Sequence, residues 1–254
     1  MENEIAINGQ PLLNIALNIV GGIIVVICDR LIIRACKKYT GYRFKKIFGN
    51  KVSDYRIVYS ELKYENKSND NQNYIFTKDG INQSFSSTFI IPSCESRAAN
   101  YLNTLFYKSL GKSVELVTDT KVKTITNLSY CSIGGINNYK SVEIIESISN
   151  QFLGLEGISI IYNKSKIEDR FEFSTEYDLC AIIKIKHQGQ TKICVSGLGE
   201  WGTSGGAWYL EKKWKELVKI VDDNEFGTII RTKHFSDDSA ELVYVVYENK
   251  LKIH

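Results

Sequence analysis

Residues 191–221 read TKICVSGLGEWGTSGGAWYLEKKWKELVKIV. The apolar run Ile193–Val195 predicts a buried strand, and the spacing of apolar residues over Ala207–Val221 predicts an amphipathic helix. Between them, residues 197–206 hold five glycines. Because glycine loses much conformational entropy on folding, so many in one connection indicate positive φ angles or the close approach of another group. Backbone N–H groups at a helix N-terminus bind anions, so this junction predicts a ligand site.

The order of patterned segments indicates the fold class. Apolar and β-branched runs predict strands at residues 55–60, 88–91, 114–117, 128–133, 158–162, 179–186, 192–195, 228–230 and 242–247. Helical spacing of apolar residues predicts helices at residues 98–110, 141–148 and 207–221. Strands that alternate with helices predict an α/β, Rossmann-like domain, with a mostly parallel sheet and helices on both faces.

Two connections add detail to this fold. Residues Phe89–Val117 follow the order strand, helix, strand over about 30 residues, which is the size of a βαβ crossover. The segment His187–Gln190 lies between two alternating runs and predicts an antiparallel hairpin. No strong linker follows Asn50, so we expect two parts: residues 1–50 with an N-terminal helix and a basic segment, and one domain over residues 51–254.

A long apolar stretch lies near the N-terminus. Residues 11–33 read PLLNIALNIVGGIIVVICDRLII, about 23 residues, which as a helix crosses roughly 30 Å of hydrocarbon. This length predicts a single transmembrane helix. A cleaved signal peptide fits less well, because the stretch lacks a positive leading region and a small-residue cleavage site. A buried core helix stays open as an alternative, because Asp29 and Arg30 interrupt the run.

The flanking charges predict how this helix is placed in the cell membrane. No lysine or arginine precedes the stretch, and seven lie in or after its end: Arg30, Arg34, Lys37, Lys38, Arg43, Lys45 and Lys46. The positive-inside rule therefore predicts an outside N-terminus and a cytoplasmic C-terminal domain. Asn14 and Asn18 share a helix face near Gly21 and Gly22, a composition that favours helix association in lipid, so we expect a homo-oligomer.

Three strand-to-helix junctions are rich in small polar residues. In an open parallel sheet, such junctions lie together at the carboxyl ends of the strands, where ligands bind. The predicted ligand-binding residues are Ser93, Ser96, Arg97, Gly134, Gly135, Asn137, Asn138, Gly197, Gly199, Gly202, Thr203, Ser204 and Gly205. Asparagine amides suit the edge of a base or sugar, and a cation at the start of a helix suits an anion.

Each junction also has a structural explanation, which stays open. The run Gly197–Gly202 matches G-x-G-x-x-G, but no acidic residue follows after a second strand, as a dinucleotide fingerprint requires. Thr203 and Ser204 suit helix capping, and Gly134–Gly135 suit a tight turn. Arg97 suits a salt bridge to Glu95 or another nearby carboxylate.

The sequence leaves open whether the protein is an enzyme. Glu95, Glu200 and Asp119 lie near predicted strand ends, where a carboxylate can act as a nucleophile or general base. No partner for them appears at a known catalytic spacing. The chain has 6 cysteines without a Cys-x-x-Cys pair and 3 scattered histidines, so we expect no metal site and no cofactor. The net charge of +3 is too small to predict binding to duplex nucleic acid.

The arrangement as a whole resembles the membrane effectors of prokaryotic antiviral signalling. The resemblance covers Pro11–Ile33 for the membrane span and about Tyr55–Tyr247 for a Rossmann-like sensor. Gly134–Asn138 and Gly197–Gly206 look like the junctions of nucleotide-recognising Rossmann-like domains. This resemblance, which is one of architecture, implies a nucleotide second messenger that binds the soluble domain and changes the membrane part.

Two functional hypotheses follow. The first is a membrane-anchored sensor or effector in antiviral defence, which binds a nucleotide-like anion at the three junctions and passes the signal to an oligomeric membrane segment. The second is a membrane-tethered enzyme that cleaves an N-glycosidic bond of a nucleoside or NAD, with Glu95 and Glu200 as its candidate catalytic residues. A third interpretation is an interaction module whose glycines serve packing alone.

Overall fold

The computed structural model describes residues 10–51, 54–65, 74–76, 82–84, 89–90, 92–156, 159–162, 170–172, 174–248 and 250–253. The helices in these ranges are α1 (Gln10–Phe48), α2 (Ser93–Leu110), α3 (Asp119–Val122), α4 (Tyr139–Ile145) and α5 (Glu200–Val221). The strands are β1 (Arg56–Tyr59), β2 (Leu62–Glu65), β3 (Tyr74–Phe76), β4 (Asn82–Ser84), β5 (Phe89–Ile90), β6 (Glu115–Thr118), β7 (Tyr130–Ile133), β8 (Leu153–Glu156), β9 (Ser159–Tyr162), β10 (Arg170–Glu172), β11 (Tyr177–His187), β12 (Gln190–Gly197), β13 (Phe226–Lys233), β14 (Ser236–Tyr247) and β15 (Lys250–Ile253).

The central sheet has eight strands in the order β15-β14-β13-β11-β12-β7-β1-β6. Strands β12, β7, β1 and β6 pair in parallel. Strands β12, β11, β13, β14 and β15 pair antiparallel. The α/β class, the parallel strands and the hairpin of β11 and β12 are thus confirmed. The antiparallel part extends further than the single predicted hairpin, because β13 to β15 continue the sheet on that side.

Both faces of the central sheet are buried. Because successive side chains of a strand point to opposite faces, Cys180 and Ile182 of β11 lie in one apolar cluster, and Leu179, Ala181 and Ile183 in the other. The first cluster includes the end of α1 together with α2 and α5. The second includes residues of α4, β8 and β9. Helices on both faces, as predicted, enclose the sheet.

The predicted βαβ unit over Phe89–Val117 is wrong in its first strand. Strand β5 pairs with β2 in a separate four-stranded sheet of the order β4-β3-β2-β5. In the chain, α2 comes after β1 and before β6, and these two strands pair side by side in parallel. The predicted strand at 158–162 likewise lies outside the central sheet, since β9 pairs with β8 and β10. The predicted residues 88, 91 and 158 lie outside the described part of the chain.

Helix α2 starts earlier than its apolar pattern predicts. It begins at Ser93, directly after Pro92, rather than at Ala98. The first turn carries polar residues because it faces polar groups of neighbouring segments, which hides it from a search for apolar periodicity. Its C-terminal end is as predicted: Gly111 has φ 74° and donates its N–H to the Tyr107 carbonyl.

Helix α5 also starts earlier, at Glu200 rather than Ala207. The glycine-rich stretch is therefore mostly helical, although each glycine lowers intrinsic helix stability by about 1 kcal/mol relative to alanine. Close packing explains them. A Cβ atom at Gly202, Gly205 or Gly206 would collide with Leu179, Thr232 or Cys180 of the sheet.

Helix α1 is continuous from Gln10 to Phe48, and the chain divides into two compact units, Met1–Tyr42 and Arg43–His254. In the second unit, the Phe44 ring packs edge-on against Phe106 and Trp214. The last turn of α1 therefore belongs to the core of that unit, which begins earlier than the predicted boundary at residue 50.

The first unit carries exposed apolar side chains. Those of Val20, Ile23, Ile24, Val25, Val26, Ile27, Leu31, Ile32 and Ile33 are each more than half exposed. Across the part of the chain that the structure describes, no helix is both long enough and apolar enough to cross a membrane. The predicted transmembrane helix over Pro11–Ile33 is therefore not confirmed. The side chains of Asn14 and Asn18 lie outside the described part.

Candidate functional site

The carboxyl ends of the four parallel strands meet at one edge of the central sheet. We call this region the carboxyl edge and define it by four residues at the ends of those strands. Ser60, Asp119 and Gly134 directly follow β1, β6 and β7, and Ser196 is the second-last residue of β12. Ligands of open α/β sheets bind at such an edge.

Glu95, in the first turn of α2, binds the end of β1. Its carboxylate accepts hydrogen bonds from the Ser60 backbone N–H at 2.8 Å and from Ser60 Oγ at 2.9 Å. Gly134 lies against the same carboxylate with φ 89°, and a Cβ atom there would be 2.5 Å from Glu95 Oε1. Glycine is therefore required at Gly134 both by its backbone angle and by the approach of Glu95.

Asp119, like Glu95, is a buried carboxylate that accepts hydrogen bonds at the carboxyl edge. Its fully buried carboxylate accepts the Glu61 N–H at 3.0 Å and the Tyr139 N–H at 2.9 Å. It thereby joins the end of β6 to the segment after β1 and to the start of α4. Buried carboxylates need such donors, and this pair of bonds fixes two of the loops that border the edge.

The predicted ligand amide of Asn138 is used by the fold. Asn138 is buried, and its Nδ2 donates to the carbonyls of Val58 at 3.1 Å and Ile133 at 2.8 Å. Its Oδ1 accepts the Lys140 N–H at 2.9 Å and caps α4. Asn138 therefore stabilises the turn after β7, while Asn137, on the same turn, is half-buried.

Ser196, at the end of β12, has a buried hydroxyl with spare hydrogen-bonding capacity. Its side chain is fully buried, and Oγ has no hydrogen-bond partner among the described residues. A Cβ atom at Gly135 would lie 2.8 Å from this oxygen, so Gly135 and Ser196 are in direct contact. A buried hydroxyl without a partner costs about 1–3 kcal/mol, which a bound ligand or water can recover.

At the start of α5, an internal carboxylate occupies the predicted anion site. Asp178 is almost fully buried and accepts the N–H groups of Gly199 at 3.0 Å and Gly202 at 2.7 Å. A negative charge is favourable at a helix N-terminus, and here the protein supplies it from its own sequence. The Gly197 N–H is also bound, to Thr203 Oγ1 at 3.0 Å. The N–H groups of Gly197, Gly199 and Gly202 therefore bind side chains of the protein itself, which stabilises the fold.

Arg97 lies in a polar network beside that helix start. Its guanidinium pairs with Glu200 at 3.2 Å and Asp237 at 3.3 Å, and it donates to Ser204 Oγ at 3.1 Å. Ser204 Oγ also contacts Asp237 Oδ1 at 2.5 Å, and Ser93 Oγ contacts Glu200 Oε1 at 2.5 Å. The salt-bridge alternative is thus confirmed, with carboxylates other than Glu95. One cation faces two carboxylates, so the network carries no excess of positive charge.

The structure separates the predicted site residues into groups. Ser93, Arg97, Glu200 and Ser204 form the polar network, while Gly134 and Gly135 face Glu95 and Ser196. The packing of α5 uses Gly199, Gly202 and Gly205. Ser96 lies on another side of α2, where it lines a cavity of about 230 Å³ with Tyr59, Ala99, Asn100, Asn103 and Leu116.

Several residues at this edge were not predicted. Ser60 directly follows β1, and Ser196 is the second-last residue of β12, so a polar residue at the end of an apolar parallel strand is the signal that finds them. Asp178 and Asp237 had no comparable signal. Their roles depend on the antiparallel strands β11 and β14, whose pairing places them beside α5.

Cys94 reports the electrostatics of the same region. Burial, together with the carboxylates of Glu95 and Glu200, raises the pKa of the Cys94 thiol to about 12. The thiol is therefore protonated at neutral pH and is a weak nucleophile.

The described residues contain no cluster of three or more histidine, cysteine, aspartate or glutamate side chains that could hold a metal ion. Comparison with known proteins adds no identification. No protein-family model matches the chain, and no significant match was found among curated proteins or among solved structures.

Proposed function

We propose that the unit from Arg43 onward is a sensor domain that binds a nucleotide-like small molecule at the carboxyl edge. The observation that carries this proposal is the Ser196 hydroxyl, which is buried at the end of a parallel strand without a partner in the described residues. It lies beside Gly135, next to a turn that Glu95 and Asn138 hold in place. A ligand hydroxyl or ring nitrogen would complete its hydrogen bonding.

The bonding of the carboxylates favours recognition over catalysis. Both oxygens of Glu95 accept hydrogen bonds from Ser60, and both oxygens of Asp119 accept backbone N–H groups. A catalytic nucleophile or base has to turn an oxygen towards the substrate. Glu95 and Asp119 support the positions of the loops and of α2 instead, whereas Glu200 binds Ser93 and Arg97 through Oε1.

The polar network suggests how an anionic ligand would be sensed. Arg97 joins α2 to α5 through Glu200, and to the start of β14 through Asp237. A ligand phosphate would compete with these carboxylates for the guanidinium, because arginine binds phosphate with paired hydrogen bonds. In this proposal the exchange of partners loosens the contacts among three elements. The differential contacts of Arg97 would then drive a change in oligomeric state.

Binding tests this proposal directly. The 254-residue chain, in a mild detergent, is titrated by calorimetry with cyclic dinucleotides, cyclic and linear oligoadenylates, ADP-ribose, NAD and adenosine. At least one compound should bind, and the oligomeric state, measured by light scattering, should change with the same concentration dependence. Release of free base or nicotinamide, followed by chromatography, would favour the alternative N-glycosidic enzyme. Absence of binding across the panel would contradict the sensor.

A matched pair of variants locates the site. Ser196→Val removes the hydroxyl and should weaken binding at least about fivefold, because it deletes a buried hydrogen bond to the ligand. Ser132→Val changes a buried serine on the neighbouring strand, whose hydroxyl donates to the Ile193 carbonyl, and should leave the affinity of the folded protein unchanged. Equal effects of both changes would place the ligand elsewhere.

We propose separately that the first unit associates with a lipid bilayer. The support is its exposed apolar surface between Val20 and Ile33, followed along α1 by a basic segment that suits anionic headgroups. Flotation with vesicles that contain anionic lipid should carry the chain to the top of a density gradient. Ile24→Lys combined with Ile27→Lys should reduce flotation, whereas Lys213→Ala on α5 should not. Flotation that both variants share would contradict this attachment.

A further inference from the structure

The connection between β13 and β14 displays an aromatic side chain at the carboxyl edge. Strand β13 is antiparallel to β11, which is antiparallel to β12, so the end of β13 lies at the same edge as the end of β12. His234 and Phe235 form the turn into β14. The Phe235 ring is 5.0 Å from the ring of Trp201, in the first turn of α5.

Phe235 is costly to the fold. Its side chain is 84% exposed, so it buries little apolar surface. Its φ of 63° lies in the left-handed region, where glycine and asparagine are common and bulky residues are rare. A residue that violates two local preferences at once, beside a ligand edge, indicates a role outside folding.

The surroundings of Phe235 hold it firmly in place. Asp237, two residues further on, has an 8% exposed side chain that binds Arg97 and Ser204. These contacts tie the turn to α2 and α5. Trp201 in turn lies against the Arg97 guanidinium, 4.3 Å from the ring centroid. A cation, an indole and a phenyl ring thus contact one another in series, and only the phenyl ring is largely open to solvent.

We infer that Phe235 and Trp201 form a stacking surface for the nucleobase of the ligand bound at the carboxyl edge. We call this pair the aromatic ledge. A purine or pyrimidine fits because its flat face stacks on an exposed aromatic ring, while Glu200 and Ser93 offer polar groups beside it. The inference rests on the proposed function and adds to it the part of the ligand that sets specificity.

The ledge can be tested with a variant that favours the fold. Phe235→Asn removes the ring and introduces a residue that tolerates positive φ, so the melting temperature should stay equal or rise. The probes are adenosine and ribose 5-phosphate, which lacks the base. Phe235→Asn should weaken adenosine binding at least about fivefold and leave ribose 5-phosphate unchanged. Phe235→Tyr keeps an aromatic ring and should retain adenosine affinity.

Ile148→Asn is the matched control, because Ile148 is 97% exposed and lies after α4, away from the ledge. It should bind both probes as the unchanged chain does. Equal adenosine affinity in Phe235→Asn and the unchanged chain would overturn the ledge and leave the sensor proposal intact. Binding of ribose 5-phosphate without any preference for adenosine would have the same meaning. If neither these probes nor the nucleotide panel binds, both proposals are overturned.

Discussion

The turn after β7 and the start of α5 both place glycine against a buried carboxylate. At the turn, Glu95 lies on Gly134, and at the helix start, Asp178 lies on Gly199 and Gly202. The two regions differ in what remains unbound. Asp178 takes up the N–H groups of its helix, whereas a hydroxyl without a described partner lies beside the turn, at Ser196. Glycine marks close approach in both places and does not by itself distinguish a place for a ligand. Thr232 Oγ1, which lies against Gly205 further along α5, also has no hydrogen-bond partner among the described residues.

The largest effect on stability is expected from removing the Asp178 carboxylate at the start of α5. Asp178→Ala removes the acceptor of the Leu179, Gly199 and Gly202 N–H groups and a charge that favours the helix start. The free energy of unfolding should fall by about 3–5 kcal/mol in chemical denaturation. Glu216→Ala, at an exposed ion pair with Lys213, should cost at most about 1 kcal/mol. Similar losses for both changes would mean that the α5 donors do not depend on Asp178.

Cys94 lies between the two regions, and its reactivity measures the charge of both. Because burial and two carboxylates raise its pKa to about 12, alkylation by iodoacetamide at pH 8 should be at least about 100-fold slower than for free cysteine. Peptide mass spectrometry separates Cys94 from the exposed Cys28 and Cys36. Glu200→Gln should raise the rate several-fold, since it removes one of the two charges. A rate close to that of free cysteine would contradict the burial of this turn.

A smaller loss should follow when one packing glycine of α5 gains a methyl group. Gly205→Ala would collide with the Thr232 side chain and should cost about 1–3 kcal/mol of unfolding free energy. Adding Thr232→Ala removes the colliding atoms, so the double variant should recover part of that loss. Gly41→Ala has no neighbour within 4 Å and should cost nothing. Losses that simply add in the double variant would show that packing does not explain Gly205.

The smallest expected change in the unfolding free energy is an increase rather than a loss. Ser196→Ala removes a buried hydroxyl that lacks a partner in the described residues, so without ligand the unfolding free energy should rise by up to about 1 kcal/mol. Ser132→Ala breaks a buried hydrogen bond to the Ile193 carbonyl and should lower it by about 1 kcal/mol. If Ser196→Ala destabilises as strongly as Ser132→Ala, the Ser196 hydroxyl would have a hydrogen-bond partner within the protein, as the N–H groups at the start of α5 do.

Local sequence patterns predict the helices and strands of this domain better than they predict which strands pair with one another. The hairpin of β11 and β12, the strand β6 and the C-terminal end of α2 follow from alternation, length and a terminal glycine. The partner of β5 does not follow from the sequence, because a strand of only two apolar residues fits either sheet equally well. Pairing between distant strands depends on contacts that no local window contains.

The candidate site was predicted in part for the same reason. Parallel strand ends indicated the carboxyl edge, and Gly134 and Gly135 lie there as expected. The sequence predicts a loop at the glycines of α5, because glycine weakens an isolated helix, whereas packing against Thr232 and Cys180 requires glycine in this helix. Asp178 fills the helix start from an antiparallel strand, and that position follows only from the three-dimensional pairing.

Strand β12 has a consequence for the synthesis of this protein. It pairs with β7 on one side and β11 on the other, and it leaves the ribosome long after β1, β6 and β7. Until residues 190–197 emerge, β7 has an edge without its final neighbour, which is a surface that promotes aggregation. Ser196 arrives with the same strand. A nascent chain that stalls before this point lacks one of the four parallel strands that form the carboxyl edge, so the proposed ligand site would be complete only after β12 has been synthesised.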